Sequence, residues 1–181
     1  MRSWLNRTAF ICVGIVFCAA LILFTGYKFS LELYSKDFIA GKKIPEAFTG
    51  LGEDVSPELY WSDAPSDTKS FVVIMDDPDA PGGTWVHWVI YDIPASVRKL
   101  DRGVPKDAVL ADGAKQGKNS FGRIGYNGPM PPPGPEHRYF FKLYALDTVL
   151  ELKLGVSKDE VLAAMKGHIV DQAHLVGLFG R

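Results

Sequence analysis

Cysteine is nearly absent from this chain. Its two copies, Cys12 and Cys18, both lie within the first 28 residues. Everything beyond must therefore fold without a disulfide or a cysteine-based metal site, and take its stability from core burial. A basic excess is missing too. Net charge over the 181 residues is −1; the first 28 hold Arg2, Arg7 and Lys28 and no acid, so 17 basic face 21 acidic residues in the remainder. That balance excludes a nucleic-acid footprint. There is no G-x-S-x-G elbow, no H-x-H or H-x-x-x-H pair and no internal repeat. A serine hydrolase of that type and a paired-histidine metal site lose their usual signatures. Ser120 in NSFG is a loop serine without a nucleophile's frame.

Long apolar runs are also lacking, with one exception. Thr8 to Tyr27 is twenty residues without a charge, about what a helix needs to cross a bilayer. Arg2 and Arg7 precede it, so the positive-inside rule places the N-terminus in the cytoplasm and the chain after Lys28 outside. Cys18-Ala19-Ala20 offers a small-residue cleavage site, which leaves a signal peptide as the alternative to an uncleaved anchor. The chain divides into 1–28 as signal anchor or signal peptide, 29–43 as a juxtamembrane segment with room for an edge strand, and 44–181 as one domain. That domain is expected on the outer, periplasmic or extracellular, face of the membrane, tethered there or soluble if cleaved.

What the domain does contain is 47% hydrophobic residues over the whole chain, in short runs broken by Gly, Pro, Asp and Ser. FVVIM (71–75), TWVHWVIYDI (84–93) and RYFFKLYAL (138–146) are rich in β-branched and aromatic residues and read as central strands. Ser157 with Glu160 makes a capping box. From it Leu162, Met165, Ile169, Ala173 and Val176 recur at helical spacing, which predicts a helix reaching to Gly177. The 24 residues 113–136 form a Gly/Pro-rich loop, long enough to be functional. Gly122, Gly125 and Gly128 are no phosphate cradle, since prolines forbid a following helix. The Pro131–Pro133 run reads as a rigid pocket rim, or alternatively as a docking peptide.

The stretch MDDPDAPGGTWVHWVIYD (75–92) is the most pointed feature. Strand alternation puts Trp85, His87, Val89 and Tyr91 on one face, and His137 and Tyr139 on one face of a later strand, with Arg138 turned away. Polar rings at the start of two strands, each beside a Pro/Gly loop, describe the mouth of a pocket. Imidazole and phenol donors suit an anion, and Asp77 and Asp79 are placed to accept from the imidazoles' far nitrogens and favour their charged form. Three alternatives stand beside this reading: turn-capping aspartates with a satisfied core histidine, a two-histidine, one-carboxylate metal site, and a His-Asp hydrolase.

GEDVSPELYWSDAP (52–65), DPDAP (77–81) leading to HWVIYDIP (87–94), FGRIGYNGPMPPPGPEHRYFFKLYALD (121–147) and SKDEVLAAMKGHIVDQAHLVGLFGR (157–181) occur in that order. By these motifs residues 35–181 resemble the phosphatidylethanolamine-binding protein (PEBP) family, in its bacterial Raf-kinase-inhibitor-like branch. The resemblance implies a mainly β fold, a large antiparallel sheet on a smaller one with a C-terminal α-helix, following the N-terminal membrane-spanning segment. It also implies a small site for phosphate, acetate or a phospholipid headgroup, at Asp77, Asp79, Pro81, Trp85, His87, Pro131, His137 and Tyr139. A cis Ala80–Pro81 bond is a further feature that the resemblance raises. Met130 stands where mammalian members carry a glycine. The implied protein is a non-enzymatic binder needing no cofactor or metal, with a small anionic ligand or headgroup as partner and the membrane met through the N-terminal segment. Inhibition of a protease or kinase through surface loops is the alternative; a protein partner and a homodimer stay open.

Overall fold

The structure, a computed structural model, describes residues 30–181. The expected membrane segment therefore lies outside the described residues, among which no helix is long and apolar enough to span a bilayer. The described chain runs through β1 (Glu32–Tyr34), β2 (Leu59–Ser62), β3 (Ser70–Asp77), β4 (Trp85–Pro94), β5 (Lys99–Leu100), β6 (Lys115–Gln116), β7 (His137–Leu146), α1 (Lys158–Met165) and β8 (Ile169–Phe179). Strands β1-β2-β5 make a small sheet, and β6-β4-β3-β7-β8 a large one. All their pairings are antiparallel. The edge strand expected within 29–43 is β1, and Leu31, Leu33 and Phe38 of that stretch are buried in the core.

β3 reads SFVVIMDD and is buried along its whole length, because both faces of the large sheet are covered. A strand so placed becomes a continuous apolar run instead of an alternating one. On one face Phe71, Val73 and Met75 of β3, with Trp88, Ile90, Phe141 and Leu143, pack against Leu33, Leu59 and Trp61 of the small sheet. On the other, Val72, Ile74, Val89 and Tyr91 pack against Val161 and Met165 of α1. Each such side chain, fully buried, contributes roughly 1.5–3 kcal/mol.

The last predicted element needs correction. Ser157 does cap a helix, its Oγ accepting from Glu160 N–H while Glu160 reaches back to Ser157 N–H. That helix stops at Met165, and Gly167 turns the chain out in the left-handed region at φ 85°. Residues 169–179 are instead a strand, paired along β7 from His137↔Phe179 to Leu146↔Ile169. Tertiary pairing overrides the helical spacing: without β8, β7 would leave an open edge on an otherwise buried sheet.

Candidate functional site

A cavity of about 270 Å³ opens at one end of the large sheet, where β3 finishes and β4 and β7 begin. Asp77, Pro81, Trp85, His87, Pro131, His137 and Tyr139 line it, together with Ala80, Phe121, Met130 and Pro132. Seven of the eight residues expected at the site thus share one cavity; Asp79 does not line it. The 113–136 loop supplies the far wall through Phe121 and the Met130–Pro132 run, as a rim. No cis peptide bond occurs among the described residues, so Ala80–Pro81 is trans.

His87 reaches the cavity by a route that simple alternation does not describe. Met75 pairs with Trp88 but Asp76 pairs with Val86, so His87 is an extra residue, a bulge in β4. A bulge breaks the two-residue period and re-aims the side chain. His87 consequently lies against Tyr139, their rings 5.3 Å apart and edge to face, while Val89 and Tyr91 point to the helix side of the sheet. The predicted face shared by His87, Val89 and Tyr91 is overturned by that one inserted residue.

The two imidazoles are held differently. His137 Nδ1 lies 2.8 Å from Asp77 Oδ2. A carboxylate there can only accept, so Nδ1 carries the proton and Nε2 is left for other partners. Asp77 also caps the turn after β3, its Oδ1 accepting from Asp79 N–H at 2.8 Å. Among the described residues no carboxylate stands behind His87. Its Nδ1 lies 2.7 Å from the backbone oxygen of Asn127, which fixes the proton on Nδ1 in the same way. Burial is the larger influence on His87 and lowers its pKa from the ordinary 6.5, against the raising effect of that hydrogen bond. Near neutral pH His87 is uncharged, and its Nε2 is an acceptor.

Asp79 is likewise not behind an imidazole. It takes the Arg138 fork, with Nε to Oδ2 at 2.8 Å and Nη2 to Oδ1 at 2.6 Å. Arg138 is exposed and outside the cavity, so it anchors the acidic loop from behind. The third acid, Asp76, points through the sheet to the helix side, where Lys142 and Lys158 hold it.

Between the histidines stands Tyr139, fully buried, its hydroxyl without a hydrogen-bond partner among the described residues. Burial first, then the charge of Asp77 and the pull of its carboxylate on the phenol proton, push its pKa well above the usual phenol value, although no hydrogen bond of ordinary geometry joins the two. The hydroxyl therefore keeps its proton. Leaving such a group unpaired costs about 1–3 kcal/mol.

A network that the sequence reading did not find holds the Asn127 carbonyl in place. Asp54, itself at φ 56°, accepts from Asn127 Nδ2 at 2.8 Å and Gly128 N–H at 2.6 Å. Asn119 Nδ2 donates to Asn127 Oδ1 at 2.9 Å. Gly128 packs so close to the Phe48 carbonyl that a Cβ would overlap it. Its place in the loop is steric.

The sequence profile of the family described as phosphatidylethanolamine-binding protein matches residues 34–180. A UPF0098 protein of Aquifex aeolicus is 49% identical over 161 residues, covering 88% of this chain and 94% of its own. The crystal structure of a PEBP homolog from Chlamydia trachomatis superposes with a TM-score of 0.77 at 39% identity, over 84% of this chain and 98% of that one. E. coli YbcL, a member of the mammalian PEBP family, gives 0.79 at 33% identity, over 84% of this chain and 99% of its own.

Proposed function

The chain belongs to the phosphatidylethanolamine-binding protein family, and from that premise we propose that it is a non-enzymatic binding protein whose cavity takes a small phosphate-bearing ligand. The observation that carries this reading is the unpartnered hydroxyl of Tyr139, buried between His87 and His137. A ligand acceptor would relieve it.

The three groups differ in what they offer. Tyr139 O–H donates. His137, backed by Asp77, donates from Nε2 when charged. Neutral His87 accepts at Nε2. A phosphate that carries at least one proton matches that set, because its oxygens accept while its P–OH donates; a carboxylate can only accept. Phosphate and phosphate monoesters are therefore favoured over acetate. The exposed apolar rim of Trp85, Phe121 and Met130 leaves room for an apolar body behind the anionic group. The cavity is part of a domain that residues 8–27, as an uncleaved anchor, would hold at the outer face of the membrane.

Nitrogen-15 NMR of the imidazoles tests the site. Added phosphate should shift Nε2 of both His87 and His137 while the exposed His168 and His174 stay still. Shifts confined to the exposed histidines would contradict the assignment.

A further inference from the structure

The point where the chain enters the domain lies at the far end of the large sheet from the cavity. Leu31 N–H donates to Asp171 Oδ2 at 2.9 Å, and Asp171 pairs with Ala145. Glu32 pairs with Ser62 in the small sheet beside it, and Trp61 packs against Phe71 at the start of β3, their rings 5.4 Å apart. From there the chain climbs along β8. Phe38 packs on Phe141, and Ile44 N–H donates to Leu178 O at 2.8 Å. Cavity residues sit at the opposite ends of the same strands: Asp77 closes β3, and His137 opens β7 opposite Phe179. Eight steps of β8 separate Asp171 from Phe179, which at about 3.3 Å per residue is roughly 26 Å.

Only residues 28–30 lie between the apolar segment ending at Tyr27 and the buried Leu31. The four residue steps from Tyr27 to Leu31 reach at most about 14 Å when fully extended, well short of the roughly 26 Å between the two ends of β8. A domain so tightly held cannot invert to present its other end to the bilayer.

We infer that the cavity takes its phosphate-bearing ligand from solution and is out of reach of headgroups in the membrane that anchors the chain. This rests on the proposed reading of the cavity and of residues 8–27. A headgroup phosphodiester and a free phosphate monoester both offer anionic phosphoryl oxygens to the Tyr139 and His137 donors, and the monoester adds a P–OH for His87; the tether separates the two sources. Lipid headgroups of that bilayer face the Leu31–Asp171 end, and the rim of Trp85, Phe121 and Met130 faces the aqueous side.

The test uses the full chain reconstituted in phosphatidylcholine vesicles, with two readouts. Emission of Trp85, taken as the difference between the chain and its Trp85→Phe variant, is challenged with a headgroup spin-labelled lipid and with aqueous acrylamide. Quenching by acrylamide but not by the lipid is expected; quenching by the lipid overturns the placement whatever the cavity binds. O-phosphoethanolamine is then titrated into vesicles with and without phosphatidylethanolamine. Equal affinity in both is expected, and a several-fold weaker affinity in the vesicles that contain phosphatidylethanolamine overturns the inference through competition from the bilayer. Binding in neither vesicle would instead overturn the anion reading and the ligand half of this inference. A chain that fails to float with the vesicles would overturn the anchor on which the placement depends.

Discussion

Arg138 grips Asp79 through both its backbone N–H and its guanidinium fork, and so ties the start of β7 to the loop that carries Ala80 and Pro81 into the cavity wall. Parity alone makes Arg138 a bystander on the far face of its strand. The fork makes it a positioning residue. Arg138→Ala is expected to weaken phosphate binding, but less than loss of His137 does. Arg138→Lys should restore little, since an ammonium cannot reproduce a planar fork. Calorimetric titration of the three proteins with inorganic phosphate checks the order.

The same pair has a signature in acid. The Arg138 fork lowers the Asp79 pKa from 3.8 to about 2. A depressed carboxylate contributes stability that is present above its unfolded value and lost as pH falls through its folded value. Urea midpoints of the wild type should drop between pH 4.5 and 2 by more than those of Arg138→Ala. The difference will be small, because the guanidinium is exposed and solvent screens it.

His87 acts in the opposite direction from a histidine that gains a carboxylate. Its folded pKa lies below the ordinary 6.5, chiefly through burial. As pH falls below 6.5 the unfolded chain takes up a proton that the folded one resists, so stability declines towards acid. His87→Asn keeps a donor for the Asn127 carbonyl without titrating. Its stability should fall less than that of the wild type between pH 7.5 and 5, measured by denaturant unfolding.

Gly128 tests the wall around Asn127. A methyl group there meets the Phe48 carbonyl, and overpacking of this kind costs typically about 1–3 kcal/mol. Gly128→Ala should lower the unfolding midpoint and also weaken phosphate binding, by disturbing the carbonyl that orients His87. Gly134, where a Cβ would meet nothing, makes a poor control because its φ is 155°. Pro133→Ala in the same loop, exposed and outside the cavity lining, is the better comparison and should leave binding nearly intact.

What could be read beforehand, and what could not, follows from the range over which each signal acts. The β-branched and aromatic runs of β3, β4 and β7 announce themselves locally, as does the Ser157–Glu160 capping box. The extent of α1 did not, because Ile169, Ala173 and Val176 fit helical spacing equally well; Gly167 just past Met165 was the unused stop signal. The cavity residues clustered because two strands carry them at their starts. The partners of those residues did not follow from spacing. Counting alternate residues presumes an unbroken strand, and one bulge at His87 defeats it. Asn127, forty positions from His87, is joined to it by a backbone carbonyl, a group that every residue possesses and no side-chain pattern reveals.

Tyr139→Phe separates binding from folding. Removing a buried hydroxyl that has no partner among the described residues should leave the unfolding midpoint unchanged or raise it, whereas removing a core side chain would lower it. If the hydroxyl instead supports the fold through Asp77, the midpoint will fall.

The central claim is that Tyr139, His87 and His137 converge on one phosphate group. Its most direct measurement is calorimetric titration of inorganic phosphate into the wild type, Tyr139→Phe, His137→Ala and the double variant, at pH 6 and 7.5. The expected result is tighter binding at pH 6 and a loss of about 1.5–3 kcal/mol for His137→Ala, the range for a charge-assisted hydrogen bond. The double variant should lose less than the sum of the single ones, because donors sharing one anion couple. Binding that is unchanged by Tyr139→Phe and tightens as pH rises would contradict the account.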